Sequence, residues 1–282
     1  MPAPKTSSFQ QAREAIAARL RDLRLDAELT GRELAERCGW SESKSSRIEN
    51  AKTPPSASDI RKWCSACGAD DQASDLIVAN RTADSMYVQW KRLHRTGIRR
   101  HQESAVPLYE QTRQFRVYCS NVIPGLVQTE AYATALLSTI SDFQGTPNDA
   151  PEAAAARVER SHVIRQGRHR FALLMEEDVL YHRFGDAEVM AGQLGYLLAV
   201  MALPSVSLGV IPRGAHRRMW TLETFMIFDD HEVQIELLTA EFKVSQPGEI
   251  TTYAKAFSRL SGIAVHGAAA RGLITEAIGS LA

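Results

Sequence analysis

The strongest constraint on this chain is a punctuated run between residues 30 and 50. Thr30 followed three residues later by Glu33 has the spacing of a capping box, in which each side chain satisfies an orphan backbone donor of the other. The helix it opens runs through Leu34, Ala35 and Cys38, and Gly39 supplies a left-handed stop. Ser41 then caps a further helix through Asn50. Two short helices around a glycine make a helix-turn-helix unit.

The flanks extend this pattern. Residues 9–24 place Ile16, Leu20 and Leu23 on one stripe of an amphipathic helix, with Arg13, Arg19 and Arg21 elsewhere on its circumference. After Pro54-Pro55, Ser56 or Ser58 caps a helix through Ile60, Trp63, Cys64 and Cys67 that Gly68 ends, and a fifth helix begins near Asp70 with Leu76 and Ile77. The first eighty residues therefore predict an all-α domain of five helices.

Composition sharpens the partner question. The 282 residues carry 33 basic and 33 acidic side chains, a balance that argues against nucleic acid when taken as a whole. The distribution argues otherwise: residues 1–104 hold 18 basic against 14 acidic residues, and residues 105–282 hold 15 against 19. The front is basic and the back acidic. No apolar segment follows Lys5, and the greasiest stretch, Leu194 to Leu203, is half a membrane span, so a cytoplasmic, nucleoid-associated protein with no membrane partner is expected. The four cysteines, at 38, 64, 67 and 119, are too few for a disulfide scaffold. Cys64 and Cys67 have metal-like spacing but lack a second pair, and with Ile60 and Trp63 they read as small core residues.

The run Thr30-Gly-Arg-Glu-Leu-Ala-Glu-Arg-Cys-Gly39, with Ser41 and Ser46-Arg47-Ile48-Glu49-Asn50, closely resembles the Cro/repressor (XRE) family of helix-turn-helix DNA-binding domains over residues 9–80. The resemblance implies that the third helix lies in the major groove. It implies Glu42, Ser43 and Arg47 facing bases, and Lys44 and Ser46 available for bases or phosphates. Arg32, Asn50 and Lys52 would hold the DNA backbone, and Arg24 with Glu49 would form a structural ion pair. Arginine can bond guanine O6 and N7 together and glutamate can accept from cytosine, which points to a G·C-containing half-site. The competing reading of Glu42 and Lys44 is a solvated helix face.

Three positions depart from the family. Ser45 stands where a branched apolar side chain is usual, which predicts thin packing or a hydroxyl bonded back to a helical carbonyl. Ala51 replaces a glycine after the recognition helix, and Gly31 replaces a frequent phosphate-touching glutamine.

Residues 81–104 read as a basic helical connector. Tyr87, Trp90 and Leu93 are spaced three apart among Lys91, Arg92, Arg95, Arg99 and Arg100, which predicts an amphipathic helix to about Thr96, broken at Gly97. Its basic side is either a DNA-tracking or partner-binding face or a solvated surface.

From residue 105 to 282 the pattern is α+β, with a mixed or antiparallel sheet. Phe115–Cys119 and Phe171–Met175 read as strands, Val206–Ile211 as a buried strand, and Leu222–Phe228 with Val233–Leu238 as a hairpin. Helices are expected at Thr129–Ile140, Ala153–Gln166, Gly192–Leu203, about 248–262 and 267–280. Asn121-Val-Ile-Pro-Gly-Leu-Val-Gln-Thr-Glu-Ala-Tyr-Ala133, Arg157-Val-Glu-Arg160, the 171–180 stretch and Gly192-Gln-Leu194 are similar, in order, to a domain that follows helix-turn-helix units in actinobacterial WhiJ-like, antitoxin-like regulators. Those regulators are often paired with small BldB-like partner proteins.

Catalysis has weak support. Glu176-Glu177-Asp178 lie near His162, His169 and His182 in sequence, but no nucleophile elbow, phosphate-binding loop or Cys/His pair accompanies them. They read as a solvated acidic turn after a core strand, and Pro124-Gly125 as a turn that sets the following helix. The expectation is a DNA-binding transcriptional regulator, not an enzyme, with no cofactor and no metal. A double-stranded DNA operator, a second copy of the chain and a small-molecule effector are its expected partners. The alternative is an antitoxin-like module that sequesters a small partner protein and binds DNA to regulate itself.

Overall fold

The computed structural model describes residues 8–85 and 87–281, and the chain forms two compact units, Met1–Tyr87 and Val88–Ala282. The first unit is helical: α1 (Ser8–Asp26), α2 (Gly31–Cys38), α3 (Glu42–Glu49), α4 (Ala57–Ala66) and α5 (Ala73–Ser85), with one 3-10 turn at Asp70–Gln72. Ile16, Leu20 and Leu23 of α1 converge on Leu34, Ile48, Ile60, Trp63 and Cys64, all buried. Trp63 reaches full burial because its indole N–H donates to the Leu20 carbonyl at 2.8 Å.

The predicted punctuation holds with one exception. Thr30 and Glu33 form a reciprocal capping box, and Gly39 adopts φ +69°, a conformation that costs a residue with a Cβ. Ser56 and Asp59 make a second box at the start of α4. Ser41 occupies the N-cap of α3 with extended backbone, but its side chain makes no capping hydrogen bond. Cys64 is buried and Cys67 partly so, both as free thiols.

The second unit is α+β, built on a seven-stranded mixed sheet in the order β1-β7-β6-β5-β2-β3-β4. The strands are β1 (Tyr87–Gln89), β2 (Gln114–Cys119), β3 (Arg170–Glu176), β4 (Val206–Ile211), β5 (Phe225–Phe228), β6 (Glu232–Glu236) and β7 (Ala240–Val244). β2, β3 and β4 are parallel, which requires crossovers. Before β2 come three short helices, α6 (Trp90–Leu93), α7 (Arg99–Ser104) and α8 (Val106–Gln111). The crossovers are α9 (Glu130–Gln144) with α10 (Ala150–Arg160), then α11 (Ala187–Val200). β5, β6 and β7 form an antiparallel meander that joins β2 through β5. The terminal helices are α12 (Pro247–Ser261) and α13 (Gly267–Gly279).

Strand alternation divides the core between the two faces. Phe115, Val117 and Cys119 pack with Phe171, Leu173 and Met175 among residues of α9, α11 and α13. Tyr118 and Leu174, on the opposite pleat, pack with Ile227, Val233 and Ile235 among residues of α12.

Four expectations need correction. The helix through residue 96 does not form. Trp90 N donates to the Thr239 carbonyl at 3.0 Å and its indole N–H to Leu237 at 2.7 Å, so tertiary bonds hold a single turn there. Gly97 does break the segment, at φ +103°, and the Asp149 carboxylate accepts from the Ile98 and Arg99 amides to open α7. The helix expected to reach Gln166 ends at Arg160 and tightens to 3-10 over Ser161–Ile164. β7 was not foreseen. The acidic triplet is not a solvated turn, as described below.

Candidate nucleic-acid interface

α3 is anchored from its inner side. Ile48 is 1 % exposed in the core, and Ser45, also 1 % exposed, donates its hydroxyl to the Glu42 carbonyl at 2.9 Å. The hydroxyl thus bonds back within its own helix, as the departure from the family pattern predicts. Glu49 accepts from Arg24 at 2.5 and 3.1 Å, with both side chains largely shielded, and Arg24 also donates to the Leu29 carbonyl at 2.6 Å. Both nitrogens converge on the one oxygen Oε1, and the pair joins the end of α1 to the end of α3. Arg21 approaches Glu49 more loosely, at 3.7 Å.

The outward stripe of α3 is Ser43, Ser46, Arg47 and Asn50, all exposed and spaced i, i+3, i+4 and i+7. Arg47 lies along its own helix, donating to the Ser43 carbonyl at 3.1 Å and hydroxyl at 2.9 Å. Asn50 donates to the Ser46 carbonyl at 2.8 Å. These are surface bonds with little net worth, so both side chains can exchange them for outside acceptors. Glu42 and Lys52 are exposed on either side of the stripe. Arg32, on α2, is exposed and paired with Glu36 one turn on, at 3.1 Å.

Lys44 is placed differently. Its ammonium donates to Asp59 at 2.6 Å and lies 4.3 Å from the centre of the Trp40 ring. Burial raises the Asp59 carboxyl, but hydrogen bonds from Lys44 and Ser56 outweigh it and hold the group below its ordinary range. Lys44 therefore serves the α3–α4 contact, a role that nothing in its own sequence neighbourhood signals. Ala51 follows α3 at φ +53°, the left-handed conformation that a glycine would accept without strain.

In the second unit, Glu176 ends β3 buried, 4 % exposed. It accepts from Arg217 at 2.5 and 2.8 Å and from the Tyr118 hydroxyl at 2.8 Å. Glu177 accepts from the Arg213 amide at 2.8 Å and Asp178 from its guanidinium at 2.5 Å. The acidic triplet thus fastens the loop after β4. The three histidines expected near it are dispersed: His162 bonds to the Glu159 carbonyl, His169 to Thr112 and His182 to Asn121. Among the described residues no group of three metal-ligating side chains forms.

The Pro124-Gly125 segment is a 3-10 turn ahead of α9, latched by two buried glutamines. Gln128 donates to the Ile123 carbonyl at 2.7 Å; Gln193 accepts from the Thr129 amide at 2.7 Å and donates to Val127 at 2.8 Å.

No helix among the described residues is long and apolar enough to cross a membrane. Residues 15–76 match a family model described as a helix-turn-helix domain. No curated protein matches the chain. Among solved structures, that of TrmBL2, an archaeal chromatin protein that shows a novel mode of DNA binding, is similar at 10 % identity over 85 % of this chain and 88 % of that one. Its TM-score of 0.32 is too low to carry an argument. Residues 102–276, more than half of the chain, match the model described as "Domain of unknown function (DUF5753)", and the chain belongs to that family.

Proposed function

We propose that this protein is a sequence-specific DNA-binding transcriptional regulator that acts by binding and not by catalysis. α3 enters the major groove, and the second unit carries dimerisation and the response to a signal. The observation that carries this reading is the exposed Ser43, Ser46, Arg47 and Asn50 stripe on a helix whose inner face is fixed by Ile48 and by the Arg24–Glu49 pair. Arg47 reads guanine, Ser43 and Glu42 contact neighbouring bases, and Arg32 and Lys52 hold phosphates. A single helix-turn-helix covers modest DNA surface, so two copies on half-sites about one helical turn apart supply the affinity. The likeness to the Cro/repressor family supports this placement.

Selection of bound sequences from a random DNA pool, followed by titration of the recovered site, tests the assignment. Arg47→Ala is expected to lose roughly 1–3 kcal/mol on that site and to relax preference at one base pair per half-site. Unchanged affinity and unchanged selectivity would sink it.

The antitoxin-like alternative draws on two large apolar side chains in the second unit, Trp220 at 70 % and Leu238 at 76 % exposure. Affinity purification from the native host would have to recover a stoichiometric small protein, and Trp220→Ser would have to release it.

A further inference from the structure

The second unit holds two guanidinium groups that the regulatory reading does not use. Arg157 and Arg160 lie one turn apart on α10 and point under α7 and α8. Arg160 is 8 % exposed, with its guanidinium 4.7 Å from the centre of the Tyr109 ring, and its buried Nε has no hydrogen-bond partner among the described residues. Arg157 donates to two neutral amide oxygens, Gln102 at 3.0 Å and Gln128 at 2.7 Å. Among the described residues neither arginine forms an ion pair with a carboxylate.

Two histidines adjoin this pair. His94, 4 % exposed, bonds through Nδ1 to Gln144 at 2.8 Å, while its buried Nε2 is unpartnered among the described residues. Its ring centre is 5.6 Å from that of His101, and Trp90 stacks on His94 at 5.2 Å. Burial first, then the neighbouring Arg160 charge, push the Arg157 guanidinium down to about 10. Burial, with His94, Arg160, Lys243 and Arg157 around it, pushes His101 down to about 3.

A buried charge without a counter-charge is costly, and charges of one sign gathered together are costlier still. Proteins tolerate such clusters where a ligand completes them. The acidic side chains that act on the cluster do not pair with it: Glu236 is exposed, and the Asp149 carboxylate is engaged by the Ile98 and Arg99 amides.

We infer that Arg157 and Arg160, with His94 and His101, form a binding site for an oxyanion, the carboxylate or phosphate group of a small molecule. The planar guanidinium forks match either group with paired, charge-assisted hydrogen bonds. The unpartnered Arg160 Nε supplies a further donor, and His94, whose Nδ1 already donates to Gln144, adds Nε2 as a donor once the anion draws a proton onto the ring. As the signal site of a regulator this inference rests on the function proposed above; as an anion site it does not.

The test reads binding without DNA, so its failure and the failure of the DNA-binding reading are distinguishable. Thermal unfolding of the full chain is followed in potassium phosphate, in potassium citrate and in potassium chloride at matched ionic strength, for the wild type and for Arg160→Gln. Phosphate and citrate also stabilise proteins by exclusion from the surface, an effect that both forms share and that does not saturate. The wild type is expected to show an additional, saturable rise in Tm in phosphate, citrate or both, absent from Arg160→Gln. Phosphate alone points to a phosphorylated ligand and citrate alone to a carboxylate. With chloride, Arg160→Gln is expected to be at least as stable as the wild type, because it removes an uncompensated charge. Should Arg160→Gln fail to fold, phosphorus NMR line broadening of inorganic phosphate with wild type and His94→Gln, and citrate titration calorimetry on the same pair, carry the test. An identical anion response in wild type and variant, or no saturable response to either anion, would overturn the inference.

Discussion

At the scale of single residues, the end of α3 holds strain and cohesion within three positions. Ala51 adopts φ +53°, where a Cβ crowds the following carbonyl. Ala51→Gly is expected to stabilise the first unit by roughly 0.5–1 kcal/mol, since relief of that crowding exceeds glycine's larger entropy in the unfolded chain. A lower unfolding midpoint in urea for the variant would show the position to be unstrained. Glu49 is the counterpart in cohesion: Glu49→Ala leaves Arg24 shielded, with only Leu29 O as a strong partner. A loss of about 1–3 kcal/mol is expected, because removing one partner exposes the other's desolvation cost. Both effects were legible in the sequence as a departure from, and an agreement with, a family pattern. Lys44 was not legible. Whether an exposed lysine meets solvent, DNA or a carboxylate depends here on Asp59 of α4, which tertiary packing brings to it.

Elements were read best where local chemistry fixes their ends. The Thr30–Glu33 box, Gly39, and the turn between β5 and β6 at Asp229 all have local causes, and each stands where expected. Residues 81–104 show the opposite case. The threefold spacing of Tyr87, Trp90 and Leu93 favours a helix, yet the bonds from Trp90 to Leu237 and Thr239 are made across some 150 residues of sequence and leave one turn. β7 was missed for a related reason. Glu241 on it is buried beside the part-exposed Lys243, a charged inward position that no binary pattern announces. Gly97 is the element-scale test of this arrangement. At φ +103°, a Cβ would come within 2.2 Å of Asp149 Oδ2, the oxygen that accepts from the Arg99 amide. Gly97→Ala is therefore expected to cost about 2 kcal/mol or more, from backbone strain and a broken cap together. It should also raise hydrogen exchange at the Ile98 and Arg99 amides, and unchanged protection there would contradict the capping role.

At the scale of the whole molecule, the neutral total conceals a basic front and an acidic back, and also a local excess of positive charge inside the second unit. The first contrast predicts modest salt dependence. With Arg32 and Lys52 as phosphate contacts in each of two copies, log K should fall with log salt at a slope of about −4, and Lys52→Gln should reduce the slope by about 2. The second contrast predicts a pH dependence of folding. Burial and the cations around His101 hold its imidazole neutral, with its pKa pushed down to about 3, and burial lowers His94 as well. In the unfolded chain a histidine protonates near pH 6.5, so the unfolded state binds protons that the folded state refuses. The stability due to this difference is complete above about pH 6.5 and is lost progressively as pH falls below it. His101 alone should remove at most about 1.4 kcal/mol by pH 5.5, a window that precedes most carboxylate titration. Urea unfolding of the second unit between pH 7.5 and 5.5 should show this decline in the wild type and a shallower one in His101→Gln. A bound oxyanion would offset the surrounding positive charge and flatten the wild-type curve. Parallel curves for wild type and variant, with chloride as the only added anion, would place His101 outside the charged cluster.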